Sequence, residues 1–510
     1  MRKTEVEKNE IRLAWCISDK NFKILKGFGI EADIFITLYS KILKAIGKII
    51  GLPIAITVPE RLITKNVDIW GCLQTLKKLY EKNIIERWSD YPLPDLFPDE
   101  PRIVRYKIQI KPSSDVKSTQ KKRALGSGYD TTSHSKALWA AIGESVERYA
   151  LKNYLPKKNE YVDASYNSIK KDALNIHSLT GISPELRKKN IFNTKFNSQD
   201  IFRWVEGISL TQQKKIWIAL QLVSFAGNEG VSQRNEPRLR YLVSTGAGAH
   251  TTLNDAILSG TLELIERDAF MITWVNKISP PKIDLRSVSD ENLQKLFMQF
   301  TRYNLELHAL YLPSDFNVHT VLSIIIDKTG VGPAVCVGAS SDFSIHDAIK
   351  NAVQESLASR LGIRAKLHDM KLNVNDIQYK DVSSLGRWER LALWANPVNT
   401  NEIEFLLSSK QISVDNIEQY KIPSTSKDKV SALVEEFRKN KVELSYKEIL
   451  DKETSKYIGF QSVMMVAPEL QPMHLLEKLP YLDGDRMKSV PKKLNIQTFI
   501  KKNIIPHPFP

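Results

Sequence analysis

Residues 246–267 read GAGAHTTLNDAILSGTLELIER, and the architecture can be worked out from this stretch. Thr252 is suited to cap a helix, and Asp255 falls three residues later, where a carboxylate favours the helix start. Ala256 is small enough for close packing. Glu263 follows Ala256 by seven residues and Thr252 by eleven, and the stretch closes on Glu266-Arg267.

The same offsets recur twice. Upstream, Gly126-Ser127-Gly128 precedes Ser133, Ala137 and Glu144, closing on Glu147-Arg148. Downstream, Gly338 precedes Ser344, Ala348 and Glu355, ending at Arg360, with Asp347 three residues past its cap. Each segment therefore reads as a glycine-containing turn followed by a helix, built three times. Glu144 and Glu147 are three apart, as are Glu263 and Glu266, so each pair shares a helix face. Carboxylates set among Ala140, Ala141, Ile142 and Val146, or Leu262, Leu264 and Ile265, need a compensating partner. A divalent cation is one, since Mg²⁺ is held by carboxylates while sharing phosphate oxygens. Arg148 and Arg267 are placed to meet a triphosphate. The glycine turns at Gly126 and Gly128 offer backbone N–H groups to phosphate or ribose. A single Glu-x-x-Glu-Arg is more often a solvated helix with internal ion pairs; the threefold recurrence with matching caps favours the metal reading.

Outward from these repeats, strand-like runs at Ile103 to Ile110, Ile216 to Phe225, Leu305 to Leu312 and Val321 to Ile326 alternate with helical patterns, which predicts an α/β fold. From about Lys366 onward, helical patterns and polar connections dominate the reading. A Pro-rich linker, Tyr91 to Pro101, sets off residues 1–94 as a small, mainly helical module. In it, Ile34 to Ile50 and Cys72 to Tyr80 read as amphipathic helices, with apolar Ile84 and Ile85 following, an order compatible with a winged helix. Residues 95–510 form the main domain. No Walker-type phosphate loop, HExxH or dinucleotide glycine motif is present, so a bound nucleotide would be held by the carboxylate helices through metal.

The 510 residues suffice for a large core without disulfides, and the three cysteines, Cys16, Cys72 and Cys336, form no CxxC pair. That pattern, with a charged Met1 to Glu10, implies a cytoplasmic protein without a secretory signal. The apolar run Ile34 to Val58 is broken by Lys41, Lys44 and Lys48 and is not a membrane span. The net charge of +15 reflects a chain-wide abundance of lysine and no aromatic-basic stripe, so nucleic acid is not the expected partner.

Glu144-x2-Glu147-Arg148, Ser259-x3-Glu263-x2-Glu266-Arg267 and Asn351-x3-Glu355 resemble, in order, the three nucleotide and Mg²⁺ motifs of the YcaO family. Arg203-Trp204-x2-Gly207-x-Ser209-Leu210 resembles the family's central strand entry. The resemblance spans residues 95–510 and departs from the family pattern at Ala140, Asn351 and Ala358. It implies a YcaO-type ATP-binding fold with ATP and Mg²⁺ as cofactors. Glu144, Glu147, Glu263, Glu266 and Glu355 would ligate metal, and Arg148, Arg267, Ser259 and Asn351 would contact the nucleotide. The chain ends Pro506-His507-Pro508-Phe509-Pro510, which resembles the terminal PxPxP of family members that form azolines. With Leu482-x-Gly484-x-Arg486 upstream, it implies a cyclodehydratase whose tail, through the Pro510 carboxylate or His507, orients or deprotonates the attacking side chain. The implied partners are a precursor peptide with a leader, a separate ThiF-like leader-recognition protein, a flavin dehydrogenase that oxidises azolines, and a second copy in a homodimer. Thioamide or amidine formation is the alternative within the family. A nucleic-acid-binding regulator with a degenerate body is the remote one.

Overall fold

The structure, a computed structural model, describes residues 11–13, 54–56, 69–90, 99–111, 125–370, 385, 387–499 and 501–509. The helix expected over Ile34 to Ile50, together with Cys16 and Pro510, lies outside these residues. The chain divides into two compact units. One comprises Met1–Pro98, Ile103–Tyr149 and Asp451–Phe460, and the other Asp99–Arg102, Ala150–Leu450 and Gln461–Pro510.

In the first unit, β1 (Ile11–Leu13), β2 (Ile54–Ile56), α1 (Ile69–Glu81), β3 (Ile85–Asp90), β4 (Val104–Ile110), β5 (Leu125–Asp130) and α2 (His134–Asn153) follow in order. Their sheet runs β2-β1-β3-β4-β5. Strands from both sides of residue 94 thus share one sheet, and the expected boundary there is crossed by backbone pairing. Its described part also holds three strands beside one helix, where a mainly helical module was expected. Spacing found α1, whose Cys72, Leu76 and Leu79 are buried, but strands this short leave little periodicity to read.

The second unit contains two sheets. Its elements include β6 (Tyr161–Ser165), β7 (Ile201–Ser209), β8 (Lys214–Ala219), β9 (Ala247–His250), α3 (Leu253–Val275), β10 (Lys282–Ile283), β11 (Leu305–Leu312), β12 (His319–Asp327), β13 (Val335–Asp342), α4 (Ile345–Met370), β14 (Gln411–Ile412), α5 (Ser426–Lys439), β15 (Ser445–Glu448) and β16 (Gln461–Val466). One sheet runs β9-β16-β15-β7-β6, with β8 paired to β7; the other runs β13-β12-β11-β10-β14. β15 and β16 fall in the region read as helical, because buried strands such as Ser462 to Val466 lack the polar alternation that marks a half-exposed one.

Helix α3 packs against β9 and β16 of one sheet and β13 of the other. Fifteen of its residues are buried, so it is the axis of the second unit's core rather than a surface helix. The Thr252 hydroxyl caps it by accepting from the Asp255 N–H at 3.2 Å. Ser133 does the same for α2, accepting from Lys136 N–H at 3.2 Å, and Ser344 for α4, accepting from Asp347 N–H at 3.3 Å. All three expected caps are therefore formed.

Candidate nucleotide and metal site

Each repeat is a strand, a capped helix and a glutamate that folds back onto the strand. Glu144 accepts from the Ser127 N–H, Glu263 from the Gly246 N–H at 3.0 Å, and Glu355 from the Ala339 N–H at 2.7 Å. One carboxylate oxygen in each repeat is thereby fixed against the sheet, and the helix position of the glutamate is explained by backbone geometry.

The glycines have a different task from the one expected. Gly126, Gly128, Gly248 and Gly338 lie within strands, not in phosphate-facing turns. A Cβ on Gly128 would overlap the Ala137 carbonyl, and one on Gly248 the Ala256 carbonyl. A Cβ on Gly126 would overlap Ser145, and one on Gly338 the Ser356 backbone. These residues let strand and helix touch, which is what holds each glutamate within reach of its N–H. Gly246, at φ +93°, is the one turn glycine of the set, just ahead of β9.

In the second unit the structure brings Glu263, Glu266 and Glu355 together around Arg267. The guanidinium lies 3.0 Å from Glu266, 3.6 Å from Glu263 and 3.7 Å from Glu355. Arg267 and Glu266 are nearly buried, while Glu263 and Glu355 remain about a quarter exposed. Burial pushes the Glu266 carboxyl well above the usual range; Arg267 opposes this, and the Glu355 and Glu263 charges add to it. Glu263 and Glu355 alone outnumber the one cation and leave the cluster anionic, and Glu266 Oε1 faces Arg267 Nη1 at 3.0 Å, the contact falling outside hydrogen-bond geometry. Among the described residues, no group of three His, Cys, Asp or Glu stands ready to hold a metal ion as it is; the guanidinium fills that role here. The donor set nevertheless fits Mg²⁺: all ligating atoms are carboxylate oxygens, and the cluster is anionic.

In the first unit, Glu144 pairs with Arg148 at 2.7 Å, both partly exposed, and Glu147 lies one turn along the same helix, half-buried. Ser259 and Asn351 are exposed on α3 and α4, one turn before Glu263 and Glu355.

The terminal segment is buried. Trp274 Nε1 donates to the Ile505 carbonyl and Trp394 Nε1 to the Pro506 carbonyl, each at 3.0 Å. Pro506, His507, Pro508 and Phe509 are all inside the second unit. His507, expected as a base, is not free to act as one. Its Nε2 donates to the His474 carbonyl at 2.7 Å, and its Nδ1 accepts from Arg390 at 2.8 Å. Burial and the Arg390 charge push its pKa well below the usual histidine range, so the ring stays neutral and anchors the tail. Phe509 packs on Phe270, with ring centroids 5.1 Å apart, and lies under the Arg267 guanidinium.

Sequence reading named Arg486 and Arg360 but missed the partners that make them anchors. Arg486 grips Asp268, the residue after Arg267, through Nε at 2.9 Å and Nη2 at 2.7 Å, and also reaches Asp315. Arg360, the arginine of the third repeat, is sealed between Glu100 at 2.8 Å and Asp327 at 2.7 Å. The missing signal is separation: each partner lies tens to hundreds of residues away.

A family model described as YcaO cyclodehydratase, ATP- and Mg²⁺-binding, matches residues 128–471. No sequence among the curated proteins matches. Among solved structures, a heterocyclase in complex with substrate and cofactor is similar at 18% identity and TM-score 0.66, over 86% of this chain and 57% of that one. The heterocyclase TruD is similar at 18% identity and TM-score 0.54, over 73% of this chain and 50% of that one. YcaO from Methanopyrus kandleri, bound with AMPPCP and Mg²⁺, is similar at 15% identity and TM-score 0.55, over 80% of this chain and 94% of that one. At these identities the likeness shows the fold. The chain spans about half the length of the two heterocyclases.

Proposed function

The chain belongs to the YcaO family, and from that premise we propose that it is an ATP-dependent cyclodehydratase acting on a ribosomally made precursor peptide. In this reading a Cys, Ser or Thr side chain attacks the carbonyl carbon of its preceding amide, and the amide oxygen departs, leaving a thiazoline or oxazoline. ATP with Mg²⁺ supplies the phosphoryl group that makes that oxygen a leaving group, ending as ADP and phosphate.

The residues of this chain position and neutralise. Glu263, Glu266 and Glu355 would hold Mg²⁺ in the second unit, with Glu144 and Glu147 their counterparts in the first. Arg267 and Arg148 are the cations for phosphate oxygens, and Ser259 and Asn351 the polar groups beside them. Burial of Glu266 and Arg267 keeps bulk water from that end of the cluster and strengthens the interactions made there. The observation that carries the reading is the Pro-rich terminus, whose Phe509 rests on Arg267 of the carboxylate cluster. Pro510 remains the candidate residue for orienting the nucleophile, with His507 anchoring the tail through Arg390 and the His474 carbonyl.

The partners that go with this activity are the leader-bearing peptide, a ThiF-like protein that recognises the leader, a flavin dehydrogenase that oxidises azolines, and a second copy of the chain. Among the described residues, no helix is long and apolar enough to cross a membrane. The test is to incubate the protein with ATP, the partner protein and a candidate peptide whose backbone amides carry an oxygen isotope label. The reading expects the label in released phosphate and loss of one water mass per ring. Ring formation with unlabelled phosphate would refute it.

A further inference from the structure

Beside Arg267 the second unit has a cleft lined by Arg240, Tyr241, Leu264, Arg267, Leu470 and Gln471, among others. Three guanidinium groups gather at and behind it without a carboxylate among them. Arg187 donates to the carbonyls of Thr194 at 2.9 Å and Leu239 at 3.2 Å. Arg238 donates to the Asn228 carbonyl at 2.9 Å and lies over the Tyr241 ring at 4.1 Å. Arg240, which lines the cleft, has no ion pair, and its Nη1 is buried without a hydrogen bond.

The acids in reach are committed. Glu236 is paired with Arg234 at 2.7 Å. Glu469, which attracts Arg240, accepts from the Glu443 N–H at 3.0 Å. Burial pushes the Tyr481 phenol up to about 12, so it stays neutral, and it accepts from the Tyr241 N–H at 2.8 Å. Burial, with a smaller push from the Arg240 charge, pulls Arg187 down to about 10, and burial lowers Arg240 against the pull of Glu469. Three like charges with Glu469 as their nearby counter-charge are costly to bury, and an anion arriving from outside relieves them.

The rim of the cleft favours a peptide as the source of that anion. At Tyr241, Phe192 meets the ring edge-on with centroids 5.2 Å apart. Phe192 is 40% exposed and held at φ +56°, a left-handed conformation that an aromatic residue adopts only under constraint. An exposed, strained aromatic next to a cleft is a ready contact for a passing chain.

We propose that this cleft is a subsite for a carboxylate carried by the peptide substrate, bound by Arg240, with Phe192 and Tyr241 forming its lip. The proposal rests on the peptide-modifying reading above, and it makes acidic residues near the modified Cys, Ser or Thr a recognition feature.

Calorimetry without ATP tests it, using the full chain and two end-capped peptides, Ala-Glu-Cys-Gly and Ala-Gln-Cys-Gly. The Glu peptide should bind at least about tenfold tighter, the size of one charge-assisted hydrogen bond. Arg240→Gln should bring the two peptides level, Arg240→Lys should restore part of the preference, and Phe192→Ala should weaken both while keeping their ratio. Circular dichroism confirms that each variant is folded. Equal binding of both peptides by the wild type overturns the proposal. So does inorganic phosphate that binds more tightly than the Glu peptide and is lost in Arg240→Gln, since the cleft would then serve phosphoryl groups. Preference for the Glu peptide in a protein that makes no rings with ATP would retain the subsite and refute the cyclodehydratase reading.

Discussion

The Arg267 guanidinium lies 3.8 Å from the centroid of the Phe509 ring, so the last described residue of the chain rests on the one cation inside the carboxylate cluster. The contact is both packing and charge: Phe509 is 1% exposed, and the ring face is attracted to the cation. It ties the state of the tail to the position of Arg267.

Phe509 should therefore separate two effects. Phe509→Ala removes a buried ring and should cost about 3 kcal/mol of stability, read from the urea midpoint. Phe509→Leu keeps most of the volume and should cost less than half of that, yet still lower ATP turnover through the lost ring–cation contact. If Phe509→Leu turned over ATP like the wild type, the contact would be packing alone. Deleting Pro506 to Pro510 should lower stability as well as ring formation, because these residues are part of the core.

Glu266→Gln keeps the shape of the side chain and removes its charge. Since burial disfavours that charge in the first place, stability should change by under about 1 kcal/mol. ATP turnover should fall on the order of 100-fold, because a metal ligand and the partner of Arg267 go together. A folded variant with normal ATP turnover contradicts the metal role.

Gly128→Ala and Gly330→Ala should differ sharply. A methyl on Gly128 meets the backbone of Ala137 and Ala141, which cannot yield without moving α2 off the sheet. More than about 3 kcal/mol of destabilisation, or insoluble protein, is expected. Gly330 has φ +75° and open space around it, so Ala there costs only backbone strain, about 1 kcal/mol. Thermal melts of both variants decide it, and similar melting temperatures would remove the packing explanation.

His319 predicts a pH dependence. It is fully buried, and burial pulls its pKa down to about 4. The unfolded chain, with an ordinary imidazole near 6.5, binds this proton first, so the folded state loses stability as pH falls from 6.5 toward 4. The contribution is complete above 6.5 and amounts to at most roughly 3 kcal/mol. His319→Phe keeps the stacking on Tyr420 and should flatten the slope of urea midpoint against pH in that window. An unchanged slope would assign it to other groups.

Local signals carried the repeats. Ser133, Thr252 and Ser344 cap because a hydroxyl ahead of a helix satisfies the next turn, and that grammar spans three residues. The folded-back Glu144, Glu263 and Glu355 follow from the fixed length of the strand–cap–helix unit. What stayed hidden depends on distant residues. The glycines were expected to serve phosphate because a Gly-x-Gly pattern looks alike in a turn and in a strand pressed against a helix. Strands such as β16 are buried on both faces and carry no period to read. The tail's burial was equally hidden, since its carbonyls are met by Trp274 and Trp394, more than a hundred residues away. The Arg187, Arg238 and Arg240 group has no motif at all, only a concentration of like charge that appears once the chain is folded.

The most direct test of the account is the mass of a candidate precursor peptide after incubation with ATP, Mg²⁺, the partner protein and either wild type or Glu266→Gln. The account predicts loss of one water per modified Cys, Ser or Thr with the wild type and an unchanged peptide with the folded variant. Water loss at wild-type rate in Glu266→Gln would contradict it.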